Sequence, residues 1–290
     1  MKHSVSVTFV LLSIFLVAQF LGLFIVRQYV DPVQSELQGE TVFRALPIGE
    51  RPQVEEETSY IPVVLAVIIG TVILLVLIKY NLLLIWKIWF LFALIISLTV
   101  AFGAFMTSII AFSIAAILSV WRIFWPNYWI QNLTELFVYG GLAAIFAPLF
   151  TLLSVSVLLI LIACYDAYAV WRSKHMILLA QSQSKANMFA GLLIPYQWKR
   201  PKLKKKTRVS VPVRTAILGG GDVGFPLIFA GVVFKEFGLG WSFVIPVFSC
   251  AALAFLLWKG EEKKFYPAMP FLAAGCFVGL GVVMLLQSLF

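Results

Sequence analysis

The chain has 290 residues, of which 62% are hydrophobic and 12% charged, with a mean hydropathy of +0.99. Soluble domains average roughly 45–50% apolar and about 25% charged, so this composition excludes a water-soluble globule and specifies a polytopic membrane protein. A net charge of +9 invites a nucleic-acid partner, but the cations flank apolar runs, so no nucleic acid is expected.

The first apolar run, Val5–Val26, is long enough to span a bilayer by itself and does not read as a cleaved leader. Residues 27–60 follow, holding seven of the thirteen acids, with prolines and no sustained periodicity. They read as a solvated acidic loop with short strands. Ile61–Ile78 is the second span. From Tyr80 to Trp121 the chain is apolar except for Lys87, about twice the length of one crossing at ~1.5 Å per residue, so it must be a hairpin bent near Gly103. Arg122–Gln131 reads as an aromatic-rich interfacial connection. Asn132-Leu133-Thr134 matches a glycosylation sequon by chance. Leu133–Trp171 is again too long for one crossing and divides near Pro148–Thr151 into a fifth and a sixth span.

The character then changes. Between Ala167 and Gly221 there is no acid, yet eleven of the 22 Lys and Arg residues lie there, densest over Lys199–Lys206. Met176–Gln197 reads as a helix on the membrane surface, and the basic cluster as a ligand for anionic lipid head groups. Three more spans follow: Val211–Phe234, Leu239–Trp258 and Phe265–Leu289. Nine crossings put 18 of the 22 basic residues on one side and four (Arg27, Arg44, Arg51 and Lys235) on the other. That bias places the N-terminus and the basic loop in the cytoplasm, and the acidic loop and the C-terminus outside. The expected fold is an all-α, nine-helix membrane protein. Its parts are a six-span bundle (1–172) with the external loop 27–60, a basic cytoplasmic linker (173–213) and a three-span bundle (214–290).

Two carboxylates sit well inside these spans; the remaining acids, Glu135, Glu236, Glu261 and Glu262 among them, lie in loops or near span ends. Asp222 follows Gly219-Gly220-Gly221 and precedes Gly224 and Pro226, all of which weaken a helix. A carboxylate in a span costs roughly 2.5–3.5 kcal/mol, and irregular backbone there needs protein or water around it. Asp222 therefore reads as a wet, buried acid; the bland alternative is a hydrogen-bonded core acid beside glycines that let helices pack. Asp166 lies in the preceding span, six residues before Arg172, while Asp222 lies eight after Arg214. At helical rise the two depths are ~9 and ~12 Å from the same surface. Two carboxylates held close share a proton, so one serves as base and the other as acid, which is the division of labour for water attack on an amide. A zinc-protease HExxH is absent, and the two histidines, His3 and His175, lie outside the spans. Cys164, Cys250 and Cys276 lack metal-ligand spacing and read as buried small side chains, so neither metal nor cofactor is expected.

Tyr165-Asp166, Gly219-x-Gly221-Asp222 and Pro267-Ala268-Met269 together resemble the YD, GxGD and PAL signature of the presenilin / signal peptide peptidase family. The motif order, nine spans and polar segment between the sixth and seventh match over most of the chain, which resembles a compact prokaryotic, archaeal member. The resemblance implies intramembrane aspartyl proteolysis of single-span transmembrane proteins or peptides, with Asp166 and Asp222 as catalytic pair. Tyr165, Gly219, Gly221, Pro267, Ala268 and Met269 then shape the site and contact substrate. Met269 departs from the family's Leu, a swap of similar volume. Prepilin peptidases share GxGD but lack the PAL element. Presenilins keep the loop between their catalytic helices in the cytoplasm and signal peptide peptidases keep it outside; the basic loop here favours the former. The residues alone leave one alternative, a proton- or ion-coupled transporter or channel, since paired membrane carboxylates and a broken helix serve that purpose too. A homo-oligomer is left open.

Overall fold

The computed structural model describes residues 5–80, 82–172, 189–195, 215–261 and 266–289. The basic cluster Lys199–Lys206, most of Met176–Gln197 and most of the linker 173–213 lie outside the described residues.

Among the described residues the chain is helical with one small sheet. Helices α1 (Val5–Gln28), α3 (Tyr60–Lys79), α4 (Leu83–Gly103), α6 (Tyr128–Phe146), α7 (Leu152–Trp171) and α11 (Met269–Leu289) each supply a run long and apolar enough to cross a membrane. A seventh such run joins the single turn α9 (Leu239–Ser242) to α10 (Val244–Lys259). Helix α5 (Ser108–Phe124) is apolar but shorter, and α8 (Gly220–Phe237) carries Asp222, Lys235 and Glu236. Seven spans are thus established by length and composition.

The expected breaks follow local chemistry. The long run after Tyr80 bends directly after Gly103. The next divides at a 3₁₀ turn, Ala147–Leu149, where Pro148 cannot continue α6. Helix α7 then starts cleanly because the Thr151 and Ser154 side chains each bond the other's backbone N–H, satisfying otherwise orphaned donors.

Five expectations are corrected, the first being that Cys164, unlike Cys250 and Cys276, is exposed on α7 rather than buried. The external loop contains a helix rather than strands. Asp31 caps α2 (Pro32–Gln38) by accepting from Val33 and Gln34, Gly39 closes it at φ +73°, and only the isolated bridge Val30–Phe43 is strand-like. Residues 128–131 are the first turn of α6, not a connection, because Asn127 accepts from Trp129 N and starts the helix. The end of the supposed surface helix is strand β1 (Gly191–Pro195). Lastly, the seventh span does not begin at Val211: Thr215–Gly219 is strand β2, antiparallel to β1 in the register Gly191↔Gly219, and helix begins only at Gly220.

Helix α8 is the axis of the main core. Nearly every residue from Val223 to Phe234 is buried, and α1, α6, α7, α10 and α11 pack around it. Small residues let the outer helices approach. A Cβ at Gly141 of α6 would lie 2.0 Å from the Ser97 carbonyl oxygen of α4, a contact only glycine permits. A smaller apolar cluster joins α4, α5 and α6.

Candidate active site

Asp166 lies near the end of α7 and is buried, with 7% of its surface exposed. Its Oδ2 accepts a hydrogen bond of 3.1 Å from the backbone N–H of Met269. Met269 is the first residue of α11, so its N–H has no partner inside its own helix. The carboxylate of one helix therefore caps another and is oriented by it.

Asp222 stands in the first turn of α8 and is half-buried. Immediately before it the chain leaves β2 and turns into helix. A Cβ at Gly219 would lie 3.1 Å from Asp222 Oδ2, tight enough to displace the carboxylate, which accounts for glycine there. A Cβ at Gly221 would meet only the Phe225 ring, at 3.4 Å. Pro226 has no N–H to offer the Asp222 carbonyl one turn earlier.

Both acids line one cavity of about 710 Å³, together with Tyr165, Gly219, Gly221, Ala268 and Met269. Pro267 is buried but does not reach this wall. A second cavity of about 650 Å³, lined by Glu135, Tyr139 and loop residues Pro52 and Val54, adjoins the first along Gly220, Gly221 and Phe225. Apart from the carboxylates the first wall is mostly apolar, a setting in which charge–charge and hydrogen-bond interactions are strong. A water molecule and an amide admitted there would face two carboxyl groups, the parts needed to move one proton on and one off.

Asp222 is not at the depth expected from helical rise: of the eight residues that follow Arg214, five, Thr215–Gly219, are extended at ~3.3 Å each, so that path is longer than ~12 Å. The two acids share a cavity even so.

Several polar residues around the site went unnoticed in the sequence. Gln19, fully buried in α1, donates from Nε2 to the Val223 carbonyl at 2.8 Å, fixing the residue after Asp222. An amide in the middle of an apolar span was the available signal. Glu135 was placed near a span end but is buried within α6, and Arg122, read as a loop charge, is buried at the end of α5 and paired with it. Glu135 Oε1 also accepts from the backbone N–H of Gly191 in β1, 3.1 Å away.

A family model described as signal-peptide peptidase, presenilin aspartyl protease matches residues 12–289. The chain belongs to this family of aspartyl proteases. Two solved structures of a presenilin family intramembrane aspartate protease share its fold. The C222 crystal form has a TM-score of 0.64 at 19% identity, covering 96% of this chain and 99% of that one. The P2 form has a TM-score of 0.60 at 20% identity, covering 95% and 96%. No curated protein matches the chain in sequence.

Proposed function

We propose that Asp166 and Asp222 are the catalytic dyad of this intramembrane aspartyl protease, and that its substrates are single-span transmembrane proteins or peptides cut within the membrane. One observation carries the dyad: acids from two different helices, α7 and α8, face one mostly apolar cavity, and the first N–H of α11 orients one of them. In the reacting state the pair holds one proton. The ionised carboxylate takes a proton from water as its oxygen attacks the scissile carbonyl carbon, and the protonated one donates to the carbonyl oxygen, giving a neutral gem-diol. Collapse returns a proton to the amide nitrogen, the C–N bond breaks, and a new carboxyl and amine leave. Tyr165, Gly219, Gly221, Ala268 and Met269 form the walls that contact substrate. Pro267 acts from behind them by starting α11.

A helical substrate hides its carbonyls behind its own hydrogen bonds, so it must unwind to react. The freed segment pairs with a sheet edge beside the site, as extended peptides do elsewhere. Strand β2 starts directly after Arg214 and ends three residues from Asp222. Nine crossings complete the reading, with α5 and α8 counted as spans. The N-terminus and the basic linker are then cytoplasmic, the C-terminus is external, and the linker contacts anionic lipid. The family match supports protease over the transporter alternative, which has no support of its own. The deciding experiment is cleavage of a single-span peptide in detergent: Asp166→Ala and Asp222→Ala should each abolish it in folded protein. Retention of a tenth of wild-type turnover by either variant sinks the dyad.

A further inference from the structure

The two-stranded sheet beside Asp222 has two unlike edges. Gly220 N donates to Ala190 O at 3.0 Å, which sets the hydrogen-bonded pairs as Leu192↔Leu218 and Ile194↔Ala216. Gly191 and Leu193 must therefore turn their N–H and C=O groups away from β2. All four of those groups are bound by side chains of α6. Gly191 N donates to Glu135 Oε1 (3.1 Å) and Gly191 O accepts from Gln131 Nε2 (3.1 Å). Leu193 N donates to Asn132 Oδ1 (2.9 Å), and Leu193 O accepts from Asn132 Nδ2 (2.8 Å). Residues 131, 132 and 135 fall within about 100° of the helix circumference, so one face of α6 presents all three. Arg122 anchors the face by pairing with Glu135, and it donates to Thr134 Oγ1 (3.1 Å) and Phe189 O (3.3 Å).

We propose that Gln131, Asn132 and Glu135 act as a substitute third strand on β1, and so set which peptide bond of an extended substrate faces Asp222. Asn132, the first residue of the sequon match, has this use. The reasoning rests on the dyad and strand-pairing reading above. With β1 closed, an added peptide has only the outer edge of β2, where among the described residues no strand lies. Side-chain anchors fix β1 on α6, the register fixes β2 on β1, and β2 ends at Gly219, three residues before Asp222. Without the anchors β1 is free to slip along β2, which stays tied to α8 at Gly220, and the sheet that a substrate strand joins loses its fixed register. Because strand faces alternate, the smallest slip that preserves them is two residues, about 6.6 Å, enough to bring a different bond to the carboxylates. A glycine is required at 191: its φ is +154°, and a Cβ there would lie 2.3 Å from Leu218 O.

These are positioning residues, and the test reads position. Full-length wild type and Asn132→Ala are given one single-span peptide, and the product termini are mapped by mass spectrometry alongside kcat and KM. Amide exchange over residues 191–195 is measured on the same samples. Losing two anchoring hydrogen bonds should speed exchange there at least about tenfold, lower kcat/KM about tenfold and add cleavage positions absent from wild type. Asn132→Asp, which keeps the acceptor for Leu193 N, should fall between. If Asn132→Ala loses its thermal transition, Gln131→Ala takes its place with the same outcomes expected. Faster exchange with unchanged cleavage positions and kcat/KM would reduce the face of α6 to a structural support, overturning the inference while leaving the dyad intact. Full turnover in Asp222→Ala overturns the dyad, and this inference with it.

Discussion

The backbone N–H of Met269 donates to Asp166 Oδ2 at 3.1 Å, joining positions 103 residues apart in the chain. This bond gives the Pro267-Ala268-Met269 segment a physical task. Pro267 and Ala268 stand just before α11, so the first free N–H of that helix falls on Met269 and points at a carboxylate.

Three substitutions at Met269 separate the N–H from the side chain. Met269→Leu keeps both the N–H and about the same volume, so kcat/KM should stay within about threefold of wild type. Met269→Ala keeps the N–H but leaves a void, because Met269 is 3% exposed. Met269→Pro removes the N–H at a helix position where proline is otherwise tolerated. If the bond orients Asp166 for catalysis, the Pro variant should lose at least about tenfold more kcat than the Ala variant at similar thermal stability. Equal losses in the two would show that only the packing of Met269 matters.

Much of this architecture is legible in the sequence. Apolar run length divided at Gly103 and Pro148 locates the helix breaks, because crossing length and proline geometry are local matters. The strands were not legible. Thr215–Gly219 is apolar and continuous with α8, so periodicity alone merges it into a span; only the glycines that follow mark the change. On β1, Leu192 and Ile194 face the core while Asn132, Gln131 and Glu135 complete its outer edge. A pairing that depends on side chains sixty residues away leaves no local trace. Arg122 and Glu135 escape the sequence for a related reason: one reads as a loop charge and the other as a span-end acid, whereas pairing lets both be buried.

Stability at high pH should depend on Tyr29, which lies beyond the end of α1. Its hydroxyl donates to Val100 O at 2.6 Å, and burial pushes its pKa up to about 12 despite the nearby Arg51. The neutral form is favoured on folding, so its stabilising contribution is complete below the ordinary value of 10 and is lost as pH climbs from there through about 12. Tyr29→Phe should cost about 1 kcal/mol at neutral pH. Thermal melts in detergent should show the gap between wild type and variant closing over that alkaline window. A gap that widens there would reverse the assigned sign.

Topology is tested with an introduced cysteine. In a background lacking Cys164, Cys250 and Cys276, a cysteine at Lys204 should resist an impermeant thiol reagent in intact cells, whereas one at Glu40 in the acidic loop should react. Ready labelling at position 204 would place the basic linker outside and reverse the orientation proposed for every span.

The pH dependence of cleavage tests the shared proton directly. The productive dyad is a mono-anion, with one carboxylate to accept a proton from water and one carboxyl to donate to the carbonyl oxygen. Acid protonates both groups and removes the base. Alkali ionises both and removes the acid. The initial rate on one single-span peptide should therefore trace a bell, whose two apparent pKa values belong to the pair and to neither residue alone. Asp166 and Asp222 face one cavity, so changing either should abolish both limbs together. The measurement runs from about pH 4 to 9, with the folded fraction checked at each point so that denaturation is not mistaken for titration. A rate that rises and then stays level to the alkaline end would show that no protonated carboxyl takes part. Water would then be activated by a single base, and the second aspartate would need another role.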